Sequence, residues 1–139
     1  MKKLAFISIS IITLLSTGCK KDNETCTLSS TSIVGNYKIA SILYKADAQT
    51  PAVDQVTLMD PCEKDDIISF LANGTWTQAE GVTSCNPANS DNGSWSLVGS
   101  VFSLDGDAYT ISNFSCTEMT INQSDPTIGE TTAIRLIKQ

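Results

Sequence analysis

Histidine is absent from this chain of 139 residues, arginine occurs once, at Arg135, and charged residues of all kinds make up 17%. Without imidazole there is no histidine general base, no histidine-containing zinc site and no Ser-His-Asp or Cys-His nucleophilic set. Nine Lys+Arg against fifteen Asp+Glu leave a net charge of -6 and a pI near 4.4. That is the wrong sign for gripping phosphate backbones, so no nucleic-acid partner is expected. Helical apolar stripes are missing as well; turn residues punctuate the body at intervals of roughly ten, as between short strands. The one long apolar run, Leu4 to Leu15, is too short to span a bilayer. With hydrophobic residues at 41% and a mean hydropathy near zero, the rest is neither disordered by composition nor polytopic. The length provides for one domain.

Lys2 and Lys3 precede the apolar run, and small residues close it at Leu15-Ser16-Thr17-Gly18-Cys19. A positive start, a short apolar core and a small-residue end make an export signal. The closing residues resemble the lipobox of bacterial lipoproteins, in the relaxed form of the Bacteroidota, with Ser16 where leucine is usual. The resemblance implies that residues 1–18 are a signal peptide removed in the mature chain and that Cys19 carries lipid; the alternative is a secreted chain cut near Gly18 with Cys19 free to pair. Two or three acyl chains hold a membrane firmly, since each buried methylene adds about 0.8 kcal/mol. Lys20-Lys21-Asp22-Asn23-Glu24 is similar to the short signals that send such lipoproteins to the outer face of the outer membrane, and the same residues serve as a solvated spacer. The cell surface is the expected location, with the periplasmic face as alternative. Residues 19–32 read as a polar tether and 33–139 as the folded domain. Without residues 1–18, seven Lys+Arg face fifteen acids, a charge of -8 that keeps the domain off an anionic surface.

With Cys19 set aside, Cys26, Cys62, Cys85 and Cys116 remain, an even number in an exported domain and therefore two expected disulfides. Their spacing does not suit a metal. Cys62 precedes and Cys85 follows a predicted hairpin whose tip is Asn73-Gly74. That hairpin favours Cys62 with Cys85, which leaves Cys26 with Cys116; peptide mapping would separate this from the other two connectivities.

Eight strands are predicted: Gly35 to Tyr44, Asp66 to Leu71, Thr75 to Glu80, Ser94 to Val98, Val101 to Leu104, Ala108 to Phe114, Thr117 to Asn122 and Thr131 to Ile137. The long connection Lys45 to Asp60 has room for one short extra strand. Alternation places Trp76 with Gln78, Trp95 with Leu97, Tyr109 with Ile111, Met119 with Ile121 and Ile134 with Leu136 on one apolar face. An all-β chain with one apolar face and no helix to cover it must curl, as a two-sheet sandwich or a barrel. Sequential hairpins favour a small antiparallel up-and-down β-barrel.

The residues Ile33-Val34-Gly35-Asn36-Tyr37-Lys38, Cys62-Glu63-Lys64-Asp65-Asp66, Phe70, Asn73-Gly74-Thr75, Cys85 and Gly93-Ser94-Trp95-Ser96 together resemble the lipocalin-like lipoproteins of Bacteroidota. Gly35-Asn36-Tyr37 would stand for the family's Gly-x-Trp signature, with tyrosine replacing tryptophan. The resemblance implies that Gly35, Tyr37 and Arg135 close the barrel, with Arg135 over Tyr37 as a cation-π pair; Arg135 as a solvent-facing strand residue is the alternative. It also implies a cavity for a small hydrophobic or amphipathic ligand, with Ile39, Phe70, Trp76, Trp95, Phe102, Tyr109 and Leu136 as candidate lining. The competing view makes Trp76 and Trp95 simple core fillers. Eight strands enclose space for side chains or for one small ligand, so two function classes stand: an outer-membrane-anchored binder, or a non-catalytic structural or accessory surface lipoprotein with a filled barrel. No enzyme activity, cofactor or metal is expected. Of the acids at Glu63, Asp65, Asp66, Asp91, Asp105 and Asp107, nearly all lie in predicted turns, where turn chemistry accounts for them better than calcium loops or paired glycosidase carboxylates.

Overall fold

A computed structural model describes residues 26–139; the expected export signal and the expected lipidation site Cys19 lie outside the described residues. A single helical turn, α1 (Ser30–Ile33), leads into β1 (Gly35–Lys45). A two-residue strand β2 (Val53–Asp54) and a 3-10 turn (Gln55–Leu58) precede β3 (Ile67–Phe70) and β4 (Thr75–Ala79). Then come β5 (Asp91–Val98), β6 (Val101–Leu104), β7 (Asp107–Phe114), β8 (Glu118–Asp125) and β9 (Glu130–Lys138). Strands β3 to β9 pair in sequence order, and β1 pairs with both β3 and β9. The sheet is therefore a closed eight-stranded antiparallel barrel, with β2 appended to the far end of β1 at Leu43 and Tyr44. Closure leaves no edge strand among the eight, as an apolar one-faced sheet of this size requires.

Several strands begin or end further out than expected. Asp91, Asp107 and Asp125 are strand residues because the backbone ladder continues through them, with Gln78 opposite Asp91, Leu104 opposite Asp107 and Glu130 opposite Asp125. Asp105 and Gly106 alone turn the chain between β6 and β7, both at positive φ (52° and 96°), the backbone of a two-residue hairpin. A register shift in β1 between Ile39 and Ser41 lets both Ile39, opposite Leu136, and Ile42, opposite Ile134, face inward.

The barrel has two unlike ends. At the end where β1 starts, Ile33 is fully buried, the Tyr37 hydroxyl donates to the Ile33 carbonyl at 2.7 Å and Lys138 Nζ donates to the Ser32 carbonyl at 2.9 Å. Ser29 and Ser32 form a reciprocal capping box around α1. The last part of the expected tether is thus a plug: an apolar residue enters the barrel end and two serines satisfy the backbone that carries it. The Cys26–Cys116 disulfide bolts the incoming chain to the same end, beside the turn between β7 and β8. At the other end, Cys62–Cys85 joins the two long loops that follow β1 and β4.

Arg135 does not close the barrel against Tyr37. It lies opposite Ser41 on the outer face and pairs with Glu118 at 2.6 Å. Leu136 faces inward, so strand alternation sends Arg135 outward. The cation over the Tyr37 ring is Lys138, 5.6 Å from its centroid.

Candidate functional site

Inward-facing side chains fill one half of the barrel and leave the other half partly hollow. In the closed half, Phe70 contacts Tyr37, Trp95 and Phe102 edge-on, with centroids 5.5, 5.7 and 5.4 Å apart, and Trp95 stacks on Phe102. Met119 and Ile111 complete this packing. The Trp95 indole N–H donates to the Leu71 carbonyl at 3.0 Å, so its polar atom is satisfied at the barrel end. Burial pushes the Tyr37 hydroxyl up to about 12, because the phenolate would lose its hydration.

Above this aromatic layer lies an apolar cavity of about 170 Å³ lined by Ile39, Ile68, Phe70, Trp76, Gln78, Leu104, Ile121, Ile134 and Leu136. Phe70 belongs to both halves and is the cavity's floor. Pairings set the walls: Ile68 lies opposite Gln78, Phe70 opposite Trp76, and Ile121 opposite Ile134. Beyond the pair Tyr37 and Ile68 the ladder between β1 and β3 stops, and β1 turns to β2 instead. Asp54 caps that stretch, its Oδ1 accepting from the amides of Ile42 and Val56.

Two polar devices sit at the mouth side of the cavity. Trp76 Nε1 donates to Asp105 Oδ2 at 2.9 Å, while Asp105 Oδ1 accepts from the Ser94 amide at 2.7 Å. A side chain at position 93 would overlap the Asp105 carboxylate, so Gly93 is what lets this acid cross the sheet and fix the indole. Gln78 Nε2 donates to Asp66 Oδ2 at 2.8 Å.

Of the seven candidate lining residues, Ile39, Phe70, Trp76 and Leu136 line the cavity; Trp95 and Phe102 belong to the packed closed half, and Tyr109 packs against the core without lining the cavity. Ile68, Gln78, Leu104, Ile121 and Ile134 complete the wall. Their inward alternation was the available indication; their height along the barrel was not readable from it. A larger groove of about 370 Å³ runs beside the Cys62–Cys85 bond on the surface, where loop residues line it, polar Asp60, Glu63, Asn86 and Asn89 beside Pro87 and Ala88. Among the described residues no cluster of three or more Cys, Asp or Glu is placed to hold a metal ion.

The family model for the lipocalin-like domain matches residues 33–123. This chain belongs to that family. No curated protein and no solved structure matched.

Proposed function

We propose that this lipocalin-like chain is a lipid-anchored barrel of the bacterial outer membrane that holds one small hydrophobic or amphipathic molecule in the cavity above Phe70, without catalysing a reaction on it. The observation that carries this reading is the cavity itself, nearly all apolar in its lining and about 170 Å³ in volume. That is close to an engineered apolar cavity of about 150 Å³ known to bind benzene, and well short of the roughly 300 to 1,000 Å³ of drug-sized sites. The ligand is therefore of one-ring size, with no room for a long acyl chain.

Residues 15–19, with their likeness to a lipobox, support lipid attachment at Cys19. Only six residues lie between Cys19 and Cys26, a reach of at most about 25 Å over the seven steps. Because Cys26 is bolted to the closed end, an anchored barrel turns that end to the membrane and its mouth away. The acidic character of the domain favours the same stance.

Calorimetric titration of the full chain in lipid nanodiscs with toluene tests the binding reading. Uptake with a Kd of about 0.1 to 1 mM is expected for a seven-atom apolar ligand, and Leu104→Phe should abolish it by occupying the cavity. No toluene uptake, or uptake that Leu104→Phe leaves unchanged, would favour the filled accessory barrel instead. Replacing Cys19 by alanine should move the protein out of the membrane fraction; retention there would refute lipid anchoring at that residue.

A further inference from the structure

We propose that the closed end of the barrel rests on the lipid surface to which Cys19 tethers it, with Leu71, Val98 and Val101 entering the boundary between headgroups and acyl chains. The inference rests on the lipid anchoring proposed above and gives it a docking face. Connections in an up-and-down barrel fall alternately at its two ends. Those at the closed end are residues 26–34, the β3–β4 turn at 71–74, the β5–β6 tip at 99–100 and the β7–β8 turn at 115–117. None of them holds a charged side chain. Val98 and Val101 flank the β5–β6 tip as cross-strand partners and are 76% and 46% exposed. Alternation with buried Trp95 and Phe102 turns both valines outward. Leu71, 42% exposed, stands in the neighbouring turn, where its carbonyl accepts from the Trp95 indole and the Gly74 carbonyl from the Trp95 amide. Nothing lies within 4 Å of where a side-chain carbon on Gly99 would stand, so the hairpin tip faces open space.

Exposed apolar side chains with a polar rim mark a surface that meets protein or membrane. The tether selects the membrane. Cys26 is bonded to Cys116 on this same end, and the six residues between Cys19 and Cys26 keep a lipid on Cys19 within about 25 Å of it. Apolar side chains on an otherwise polar body held that close settle at the boundary of headgroups and acyl chains.

The charge distribution favours the same contact. Fifteen Asp+Glu less Asp22 and Glu24 leave thirteen among the described residues, and all but Glu118 lie in the connections or at the strand ends of the mouth side. Glu118 is paired with Arg135. The acidity that would hold the domain off an anionic surface is thus carried at the far end, and the closed end approaches a bilayer without bringing an unpaired acid to it. The mouth side exposes apolar side chains too, but among acids: Leu58 between Asp54 and Asp60, Val82 beside Glu80 and bonded through its amide to Asp65, Ile128 between Asp125 and Glu130. Sinking those into lipid would strip water from carboxylates.

The test places a nitroxide label on the full chain carrying its lipid, in phosphatidylcholine vesicles, at Val98→Cys or, on the mouth side, at Val82→Cys. Both positions are exposed, so neither label enters the core. Collisions with oxygen, which concentrates in lipid, and with a water-soluble nickel chelate report the surroundings. Relative to the same label on the unanchored Cys19→Ala chain, the label at 98 should lose its nickel collisions and gain oxygen collisions, while the label at 82 keeps its nickel collisions. Leu71→Asp with Val101→Asp should return nickel access at 98 while the lipid keeps the chain on the vesicle. A label at 98 as open to nickel as that at 82 on vesicle-bound chains would overturn the proposal and leave the anchoring intact, as would protection that survives both aspartates. Loss of oxygen and nickel collisions together would also overturn it, by putting a second copy of the chain on this face. A chain that does not sediment with vesicles would overturn docking and anchoring alike. Should the double aspartate variant not fold, the two label positions alone still decide.

Discussion

Replacing Phe70 by alanine would take the floor out of the cavity. The ring is 2% exposed, touches Tyr37, Trp95 and Phe102 edge-on and lines the cavity on its other side. Buried Phe→Ala changes cost about 3 to 5 kcal/mol, and the cost rises with the void that the surroundings fail to collapse into. Here collapse is hindered from both sides: the closed half is already packed ring on ring, and the space above is empty of side chains. Three aromatic pairs, each contributing roughly 0.5 to 1.5 kcal/mol beyond burial, go with the ring. We therefore expect a loss near the upper end, about 4 to 5 kcal/mol. In urea, with both disulfides intact and a slope of about 2 kcal/mol per molar, the midpoint would fall by about 2 M. The enlarged cavity should then admit naphthalene, which the parent excludes. A loss under about 1.5 kcal/mol, or a Phe70→Ala barrel that still rejects naphthalene, would mean that Phe70 does not separate core from cavity.

Tyr37 makes stability fall in alkali: its folded pKa of about 12 lies above the unfolded value near 10, so its contribution is complete below pH 10 and is lost as the pH rises toward 12. Denaturation midpoints at pH 9 and pH 11.5 should show this fall, and Tyr37→Phe should flatten it. Replacing Cys26 and Cys116 by serine opens a 90-residue loop and should cost about 4 to 5 kcal/mol in the chain-entropy model, against about 3.4 kcal/mol for the 23-residue separation of Cys62 and Cys85; equal losses measured by thermal unfolding would show that strain or residual structure outweighs loop length. Double-mutant cycles should find Tyr37 coupled to Lys138 by at least about 0.5 kcal/mol and not to Arg135, which pairs instead with Glu118 on the outer face.

Much of the barrel was legible because its determinants are local. Asn73-Gly74, Gly99-Ser100 and Asp105-Gly106 mark hairpin turns, and alternation around Trp76, Trp95, Met119 and Ile134 gives each strand its inward face. Alternation also contained the correction to Arg135: with Ile134 and Leu136 inside, residue 135 must face out, and only the family likeness pulled it toward Tyr37. Height along the barrel axis, by contrast, depends on how distant strands register. Gly35 opposite Phe70 and Ile39 opposite Leu136 decide which inward residues become floor, wall or plug, and no local pattern encodes those pairings. For this reason Trp76 and Trp95, alike in sequence context, end in different halves. Asp66 and Asp105 look like turn acids for the same reason, although one is buried beside Gln78 and the other reaches across Gly93 to Trp76.

The division of the barrel separates the two demands placed on a chain this short. Aromatic packing, the α1 plug and the Cys26–Cys116 bond are concentrated at the closed end, where no ligand needs to pass. The cavity end carries the few groups that cost stability: two carboxyl oxygens without a donor, on Asp65 and Asp66, a ladder between β1 and β3 that stops at Tyr37 and Ile68, and acids gathered at strand ends. A ligand that binds only the folded state returns stability as RT ln(1 + [L]/Kd), or about 2.7 kcal/mol at a hundredfold excess over Kd. That gain should appear with toluene as a rise in the thermal midpoint that grows with its concentration and that Leu104→Phe removes; a midpoint that toluene leaves unmoved would refute the binding reading.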